Sequence, residues 1–173
     1  DGTPLNGNNY NTLLKPDSYT LNLANYDNGN ITPNGQSVSL TKTVLSENPV
    51  LISNVINSGA HRIGYLMYNG FYPNYESQLN AAFGNLKAQN ITELVLDLRY
   101  NSGGSVATAT RLASMITGQF QNQIFAKEQW NAKIEDYYNA SNPSGLFNLF
   151  TTKLGNNETI SSLNLTKIYI LTT

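Results

Sequence analysis

The chain has 173 residues, of which 40% are hydrophobic and 12% charged, and its formal net charge is −1. That apolar fraction can build a core, so the composition excludes a generally disordered chain. The near-neutral charge gives no electrostatic support for nucleic acid or an anionic membrane as a partner. The absence of cysteine excludes disulfides, cysteine-ligated zinc and a thiol nucleophile. No apolar run approaches the ~20 residues of a transmembrane helix, so no transmembrane segment is predicted.

The two ends of the sequence predict that it is a fragment. It opens on Asp1 and Gly2 without an initiator methionine, in a predicted turn, and it closes on a predicted strand, 167–173. No signal peptide is visible at the first residues. We therefore expect the chain to belong to a longer protein.

Residues 1–47 predict a small β-rich module. Apolar and polar side chains alternate in two stretches, as they do in half-buried antiparallel strands, and Asn-Gly pairs supply turn signals. The predicted elements are a helix over 9–14 that Pro16 ends, strands over 19–26 and 36–45, and turns at 27–30 and 33–35.

Residues 48–173 predict an α/β domain. Apolar residues recur at helical spacing in two segments, and aliphatic runs typical of covered strands flank them. The predicted strands are 50–56, 62–68, 94–99, 123–127 and 167–171, and the predicted helices are 76–89, ended by Asn90, and one through Ala109 and Ile116, ended by Gly118. Residues 128–165 are weakly patterned and predict a helical or irregular cover. The alternation predicts a largely parallel sheet with flanking helices.

The stretch 94–104, LVLDLRYNSGG, ends a predicted strand on two adjacent glycines. Ligands of open α/β sheets bind beyond the carboxyl ends of the strands, and glycines let them approach the main chain. With the N-terminus of the next helix, such a turn can hold a phosphate, a carboxylate or the oxyanion of acyl transfer. The dinucleotide and phosphate-loop glycine patterns are both absent, which disfavours a nucleotide. A tight connection with Ser105 as N-cap explains the same residues without a ligand.

The ionisable residues near this turn favour a structural role over a catalytic one. Asp97 and Arg99 are two apart on the predicted strand, hence on one face, and we expect them to pair and brace the turn. His61 is the only histidine, is expected at the surface, and has no G-x-S-x-G motif to pair with. Scattered acids and one histidine predict no metal site. Four tyrosines either line a groove or pack in the core: Tyr65, Tyr68, Tyr72 and Tyr75.

Three segments together resemble the C-terminal processing peptidases, also called tail-specific proteases. Residues 62–71, RIGYLMYNGF, resemble the strand that opens the protease core of that family. Residues 94–113 resemble its D-L-R-x-N-x-G-G strand, turn and helix, and residues 167–173 resemble the strand before its catalytic serine. The order and spacing of the three segments fit the family.

The resemblance implies a fold and an activity. It implies a crotonase-like α/β protease core over 48–173, preceded at 1–47 by the C-terminal part of a PDZ-like peptide-binding domain. Family members are serine endopeptidases with a Ser/Lys dyad that cleave C-terminal or unfolded segments of proteins and need no metal or organic cofactor. They act in bacterial envelopes, chloroplasts or related compartments, and we take the bacterial cell envelope as the expected location.

The resemblance also assigns roles at the turn. Gly103 and Gly104 match the family's backbone contribution to the oxyanion hole, and Asp97, Arg99 and Asn101 are expected to support the site. The catalytic serine and lysine are expected beyond the end of this sequence, so the 173-residue chain by itself is expected to be inactive.

One alternative function stays open. Ser102 stands where the family often has Gly or Pro, so the turn departs from the family pattern. A non-catalytic peptide- or ligand-binding protein on the same scaffold would tolerate that departure. Neither the oligomeric state nor the identity of the substrate follows from the sequence.

Overall fold

The computed structural model describes residues 2–173, which separate into two compact units with the boundary between Ser46 and Glu47. The first unit contains a short helix and two strands: α1 Tyr10–Leu13, β1 Ser18–Asp27 and β2 Asn30–Thr41. The two strands pair antiparallel as a hairpin. Asn28 and Gly29 at its tip both have positive φ, 45° and 97°, which is the backbone that two-residue hairpin turns require.

The predicted turn at 33–35 is wrong, because these residues lie inside β2. The pairing register shifts there: Asn22 is opposite Ser37, whereas Ala24 is opposite Pro33. The extra residues form a bulge in the strand. A proline lacks the N–H that a regular ladder needs, and Gly35 takes a φ of 74°, so turn-forming residues also suit a bulge.

The second unit alternates strands and helices, as the sequence predicts. Its strands and α-helices are β3 Val50–Ser58, β4 His61–Tyr68, α2 Glu76–Ala88, β5 Glu93–Asp97, α3 Val106–Thr117, β6 Ile124–Lys127, α4 Ala132–Ser141, β7 Phe147–Leu149 and β8 Tyr169–Leu171. Two short 3-10 helices, Pro73–Tyr75 and Pro143–Leu146, precede α2 and β7. The main sheet has the order β3-β4-β5-β8. Strand β3 runs antiparallel to β4, and β4, β5 and β8 are mutually parallel. The chain is thus a mixed α/β protein with a partly parallel sheet.

The predicted helix ends are confirmed by backbone geometry. After α2, Asn90 takes a left-handed φ of 52°, and after α3 Gly118 takes a φ of 72°. At the start of α3, the Ser105 hydroxyl accepts a hydrogen bond from the Thr108 N–H at 3.3 Å, so Ser105 is the N-cap. These signals fix where α3 begins, immediately after the glycine turn.

The core lies between one face of the sheet and helices α2 and α3. Alternate residues of β4 and β5 are buried against both helices, because side chains of a strand point to opposite faces in turn. The core residues on β4, β5, α2 and α3 include Leu66, Tyr68, Leu79, Phe83, Leu86, Leu94, Leu96, Leu112 and Met115. Tyr65 and Asp97 alternate along their strands with these buried residues and therefore lie on the other face of the sheet.

Residues 128–165 are partly helical and partly irregular, as predicted. Strand β6 exists, but it pairs antiparallel with β7 in a separate two-stranded sheet and does not join the main sheet. Leu146, Leu154 and Ile160 are the buried residues of this segment. Within residues 2–173 no helix combines the length and apolar character needed to cross a membrane.

Candidate functional site

A sharp turn carries the chain from the carboxyl end of β5 into α3. The Asn101 N–H donates to the Leu98 carbonyl at 2.9 Å and closes the first part of the turn. The Asn101 side chain then uses both of its polar atoms: Nδ2 donates to the Tyr68 carbonyl at 3.0 Å, and Oδ1 accepts from the Gly103 N–H at 2.8 Å. Asn101 therefore links the turn to the end of β4.

The two glycines meet the backbone of Phe71. The Phe71 N–H donates to the Gly103 carbonyl at 2.9 Å, and the Ser105 N–H donates to the Phe71 carbonyl at 2.8 Å. Together these bonds form an isolated parallel bridge between Phe71 and Gly104. In a parallel bridge the residue between the two bonds directs its own N–H away from its partner.

Gly104 is required at its position by geometry. Its φ is 133°, a conformation that side-chain-bearing residues rarely adopt, and a Cβ there would overlap the Phe71 carbonyl. Gly103, with a φ of 100°, has open space where a Cβ would be. The close approach of two backbones thus explains Gly104, and the turn conformation alone explains Gly103.

The two glycine N–H groups differ in their availability. The Gly103 N–H is already bound to the Asn101 side chain. The Gly104 N–H has no acceptor among residues 2–173, and Gly104 is exposed to solvent. A free backbone donor beside the start of a helix is suited to bind developing negative charge. The geometry therefore leaves the Gly104 N–H, but not the Gly103 N–H, available to bind an anion.

Asp97 and Arg99 form the predicted ion pair, but not both on the strand. Strand β5 ends at Asp97, so Arg99 lies in the turn, and its guanidinium folds back onto the carboxylate with Nη2 2.7 Å from Oδ2 and Nε 3.1 Å from Oδ1. The Arg99 N–H also donates to Oδ1 at 3.0 Å. The prediction of a shared strand was wrong because the chain leaves the sheet one residue after the acid, yet the local spacing still brings the pair together.

Tyr65 completes this cluster from β4, with its hydroxyl donating to Asp97 Oδ2 at 2.7 Å. The Asp97 side chain is fully buried, whereas that of Arg99 is 49% exposed. Hydrogen bonds from Arg99, and then from Tyr65, hold the pKa of the Asp97 carboxyl far below its usual value. The same hydrogen bond to Asp97 raises the pKa of Tyr65. The cluster is a fixed charge pair that anchors the chain where it leaves the sheet.

A second buried acid, Glu76 at the start of α2, was not singled out by the sequence. Its Oε1 accepts hydrogen bonds from Thr108 Oγ1 at 2.7 Å and Arg111 Nη1 at 2.6 Å, and its Oε2 accepts from the Gly155 N–H at 3.2 Å. Burial by itself raises the pKa of Glu76, but the bonds from Thr108 and Arg111 outweigh it, so the pKa is lowered. Glu76 thus connects α2, α3 and the segment at 155.

The remaining candidates are not brought to the turn. The His61 side chain is 64% exposed, as predicted. Its Nδ1 lies 2.6 Å from Glu93 Oε1, at the start of β4 and β5 and therefore at the end of the sheet opposite the turn.

Tyr68 is fully buried in the core, and burial raises its pKa to about 12. Tyr72 is 43% exposed, so the tyrosines do not line one common groove. Residues 2–173 contain no group of three His, Asp or Glu side chains placed to hold a metal ion.

Strand β8 brings the end of the chain to the same site. It pairs parallel with β5, so that Leu171 lies opposite Asp97, and the Leu98 N–H donates to the Leu171 carbonyl at 2.9 Å. The carboxyl ends of β5 and β8 therefore meet at one edge of the sheet, next to the glycine turn.

Comparison with known proteins identifies the family. Residues 62–172 match Peptidase family S41. Carboxyl-terminal-processing peptidase 2, chloroplastic, from Arabidopsis thaliana is 34% identical over 85 residues, 47% of this chain and 16% of the relative. The chloroplastic C-terminal processing peptidase of Tetradesmus obliquus is 28% identical over 120 residues, 64% of this chain and 25% of the relative.

A solved structure supports the same conclusion. A crystal structure from Bacteroides fragilis NCTC 9343, described as an S41 protease, matches 99% of this chain with a TM-score of 0.65 and 28% identity. The chain spans 45% of that protein, less than two thirds of its length, as it does for both plastid relatives. The resemblance predicted from the sequence is confirmed, and the chain belongs to peptidase family S41.

Proposed function

We propose that the protein carrying this chain is a serine-type endopeptidase of the C-terminal processing class, and that this chain supplies the oxyanion-binding half of its active site. The observation that carries the proposal is the free Gly104 N–H at the edge of the sheet where β5 and β8 both end. Two relatives are named as C-terminal processing peptidases, which supports a protein or peptide substrate.

The proposed chemistry uses the turn as a backbone donor. When a serine oxygen attacks the carbonyl carbon of a peptide bond, negative charge develops on the carbonyl oxygen. The Gly104 N–H donates to that oxygen, and the N-terminal end of α3 adds the favourable potential of its helix dipole. The serine nucleophile and a lysine base are proposed to lie outside residues 1–173. Burial would help such a lysine to lose its proton near neutral pH.

Three side chains are proposed to position this donor. Asn101 holds the Gly103 N–H and links the turn to β4, and the Asp97–Arg99 pair fixes the chain where it leaves β5. All three are proposed as positioning residues, because their hydrogen bonds go to the turn and to one another. Their geometry leaves Gly104 as the group that would contact the substrate.

The test is covalent labelling of the longer protein with a fluorophosphonate, which reacts only with an activated serine. We expect one labelled serine, mapped by peptide mass spectrometry to a position outside residues 1–173. Labelling of a serine within this chain, or no labelling by a folded protein, would refute the proposal. Peptide binding without any labelling would instead establish the non-catalytic binding protein that the sequence left open.

We also propose that residues 1–47 are the C-terminal part of a PDZ-like domain that precedes a crotonase-like core. The β1–β2 hairpin is compatible with capture of a peptide by strand addition. Removal of this domain from the longer protein should raise KM for long substrates and leave kcat for a short peptide unchanged. Equal KM with and without the domain would contradict the assignment.

The bacterial cell envelope is retained as the proposed location. Both plastid relatives are named as chloroplastic, whereas the solved relative comes from a bacterium. Fractionation of cells that express the longer protein from its own gene tests the location. Recovery in the envelope fraction is expected, and recovery in the cytosol alone would contradict it.

A further inference from the structure

A cavity of about 280 Å³ opens beside α3, the helix that follows the glycine turn. One wall is formed by α3 and the other by the segment 147–154, and the residues that matter for its chemistry are Ala107, Thr110, Arg111, Phe147, Leu149 and Lys153. Ala107 follows Gly104 by three residues, so the two Cα atoms lie within roughly 11 Å of each other by chain length alone. A peptide whose carbonyl is held at Gly104 would therefore have a neighbouring residue within reach of the cavity.

The lining contains two cationic residues, Arg111 and Lys153, and no acidic residue. The Arg111 guanidinium is paired with Glu76 at 2.6 Å, and both oxygens of that carboxylate are already bound. The Lys153 ammonium donates to the uncharged Thr159 hydroxyl at 2.7 Å. No carboxylate of residues 2–173 lies within 4.0 Å of Lys153 Nζ. Lys153 is thus a cation that a carboxylate from another molecule can approach.

The wall that carries Lys153 is held in place by hydrogen bonds to the helices. The Thr151 N–H donates to Ser114 Oγ of α3 at 3.0 Å, and the Lys153 N–H donates to Thr151 Oγ1 at 3.1 Å. On the other side of Lys153, the Gly155 N–H is bound to Glu76. Because the wall is hydrogen-bonded on both sides of Lys153, the cavity is formed before any ligand binds. A preformed cavity lowers the entropy cost of ordering the wall on binding.

From the juxtaposition of cavity, unpaired cation and glycine turn, we infer that this cavity binds a carboxylate-bearing residue of the substrate next to the cleaved bond. Lys153 is then a specificity-determining residue, and Phe147 and Leu149 contact the apolar part of the bound residue. The carboxylate belongs either to an Asp or Glu side chain or to a free C-terminus. The catalytic meaning of the site rests on the proposed peptidase function, whereas the binding itself does not.

The binding is tested on the 173-residue chain by ¹H–¹⁵N correlation NMR with three short peptides. One is acetylated and amidated with a central Glu, the second has Gln in its place, and the third has no acidic side chain but a free C-terminal carboxylate. We expect at least one carboxylate peptide to shift the amide signals of Thr110, Asn148 and Lys153, with affinity about threefold to fivefold higher than the Gln peptide, as suits a solvent-accessible ion pair. The stronger of the two carboxylate peptides identifies the source.

A matched pair of variants distinguishes carboxylate binding at Lys153 from a general effect of the chain's net charge. Lys153→Met should remove the preference for the carboxylate peptides, whereas Lys133→Met, which makes the same change on the exposed side of α4, should retain it. Equal binding of charged and neutral peptides, or a preference that survives Lys153→Met, would overturn the inference. This assay needs no catalytic serine, so its failure rejects the cavity alone, and failure of the fluorophosphonate labelling rejects the peptidase alone.

Discussion

Glu76 and Asp97 are two buried acids of the same domain that obtain their hydrogen bonds in different ways. Three of the four groups that bind Asp97 belong to Arg99, two residues further along the chain. The partners of Glu76 lie 32, 35 and 79 residues away, on two other segments. Asp97 therefore shapes a local turn, whereas Glu76 holds together parts of the chain that only the folded state brings close.

We expect loss of the Glu76 charge to reduce the stability of the fold more than loss of the Asp97 charge. Glu76→Gln leaves Arg111, whose side chain is only 23% exposed, without its anionic partner. Breaking one side of a buried pair in this way should lower the free energy of unfolding by about 3 kcal/mol. Chemical denaturation of the chain and the variant measures the change.

A matched control distinguishes this loss from a simple change of net charge. Asp136 is an exposed acid on α4, and Asp136→Asn removes the same charge without disturbing a buried partner. We expect its free energy of unfolding to stay within about 0.5 kcal/mol of the parent chain. Similar losses for Glu76→Gln and Asp136→Asn would show that Glu76 does not hold the helices together.

Asp97→Asn should have a smaller effect on stability, because the Arg99 side chain is half exposed and can be rehydrated. Its specific consequence concerns Tyr65, whose pKa is raised by its hydrogen bond to the Asp97 carboxylate. In the variant the pKa of Tyr65 should fall toward the ordinary 10.0 of tyrosine. NMR titration of ring-labelled tyrosine measures it, with Asp136→Asn as the control that leaves it unchanged. An unchanged Tyr65 pKa would show that the hydrogen bond to Asp97 does not control it.

The smallest expected effect is on how the free energy of unfolding depends on pH. Both acids have lowered pKa values in the folded chain, so their contributions to stability are complete above the ordinary carboxyl values of 4.5 and 3.8 and are lost as the pH falls below them. Between pH 5 and pH 2 the free energy of unfolding should therefore fall more steeply in the parent chain than in Glu76→Gln. Parallel curves from urea denaturation would contradict a lowered pKa for Glu76.

The difference between the two acids also explains how much the sequence could predict. The strand–helix order, the N-cap at Ser105, the helix end at Gly118 and the pairing of Asp97 with Arg99 all depend on residues a few positions apart, and all were predicted correctly. The bulge at 33–35 was predicted as a turn because proline and glycine favour both, and only the register of the partner strand distinguishes them.

The features that sequence reasoning missed depend on distant segments. The contact between Gly104 and the Phe71 carbonyl, the bond from Tyr65 to Asp97 and the anchoring of the wall at Lys153 each join residues more than thirty positions apart. An Asn one residue before Ser102 was a detectable signal for the occupied Gly103 N–H, since Asn side chains often accept from the backbone two residues on. No local pattern indicated that the Gly104 N–H would stay free.

The claim that Gly104 is the oxyanion donor can be tested by changing one atom group. Replacing Gly104 by glycolic acid in the protein that carries this chain converts its N–H into an ester oxygen and adds no Cβ against Phe71. We expect kcat to fall by about 10² to 10³ with little change in KM, and the same replacement at Gly103, whose N–H is bound to Asn101, to have a smaller effect. An unchanged kcat at Gly104, or a larger loss at Gly103, would contradict the assignment.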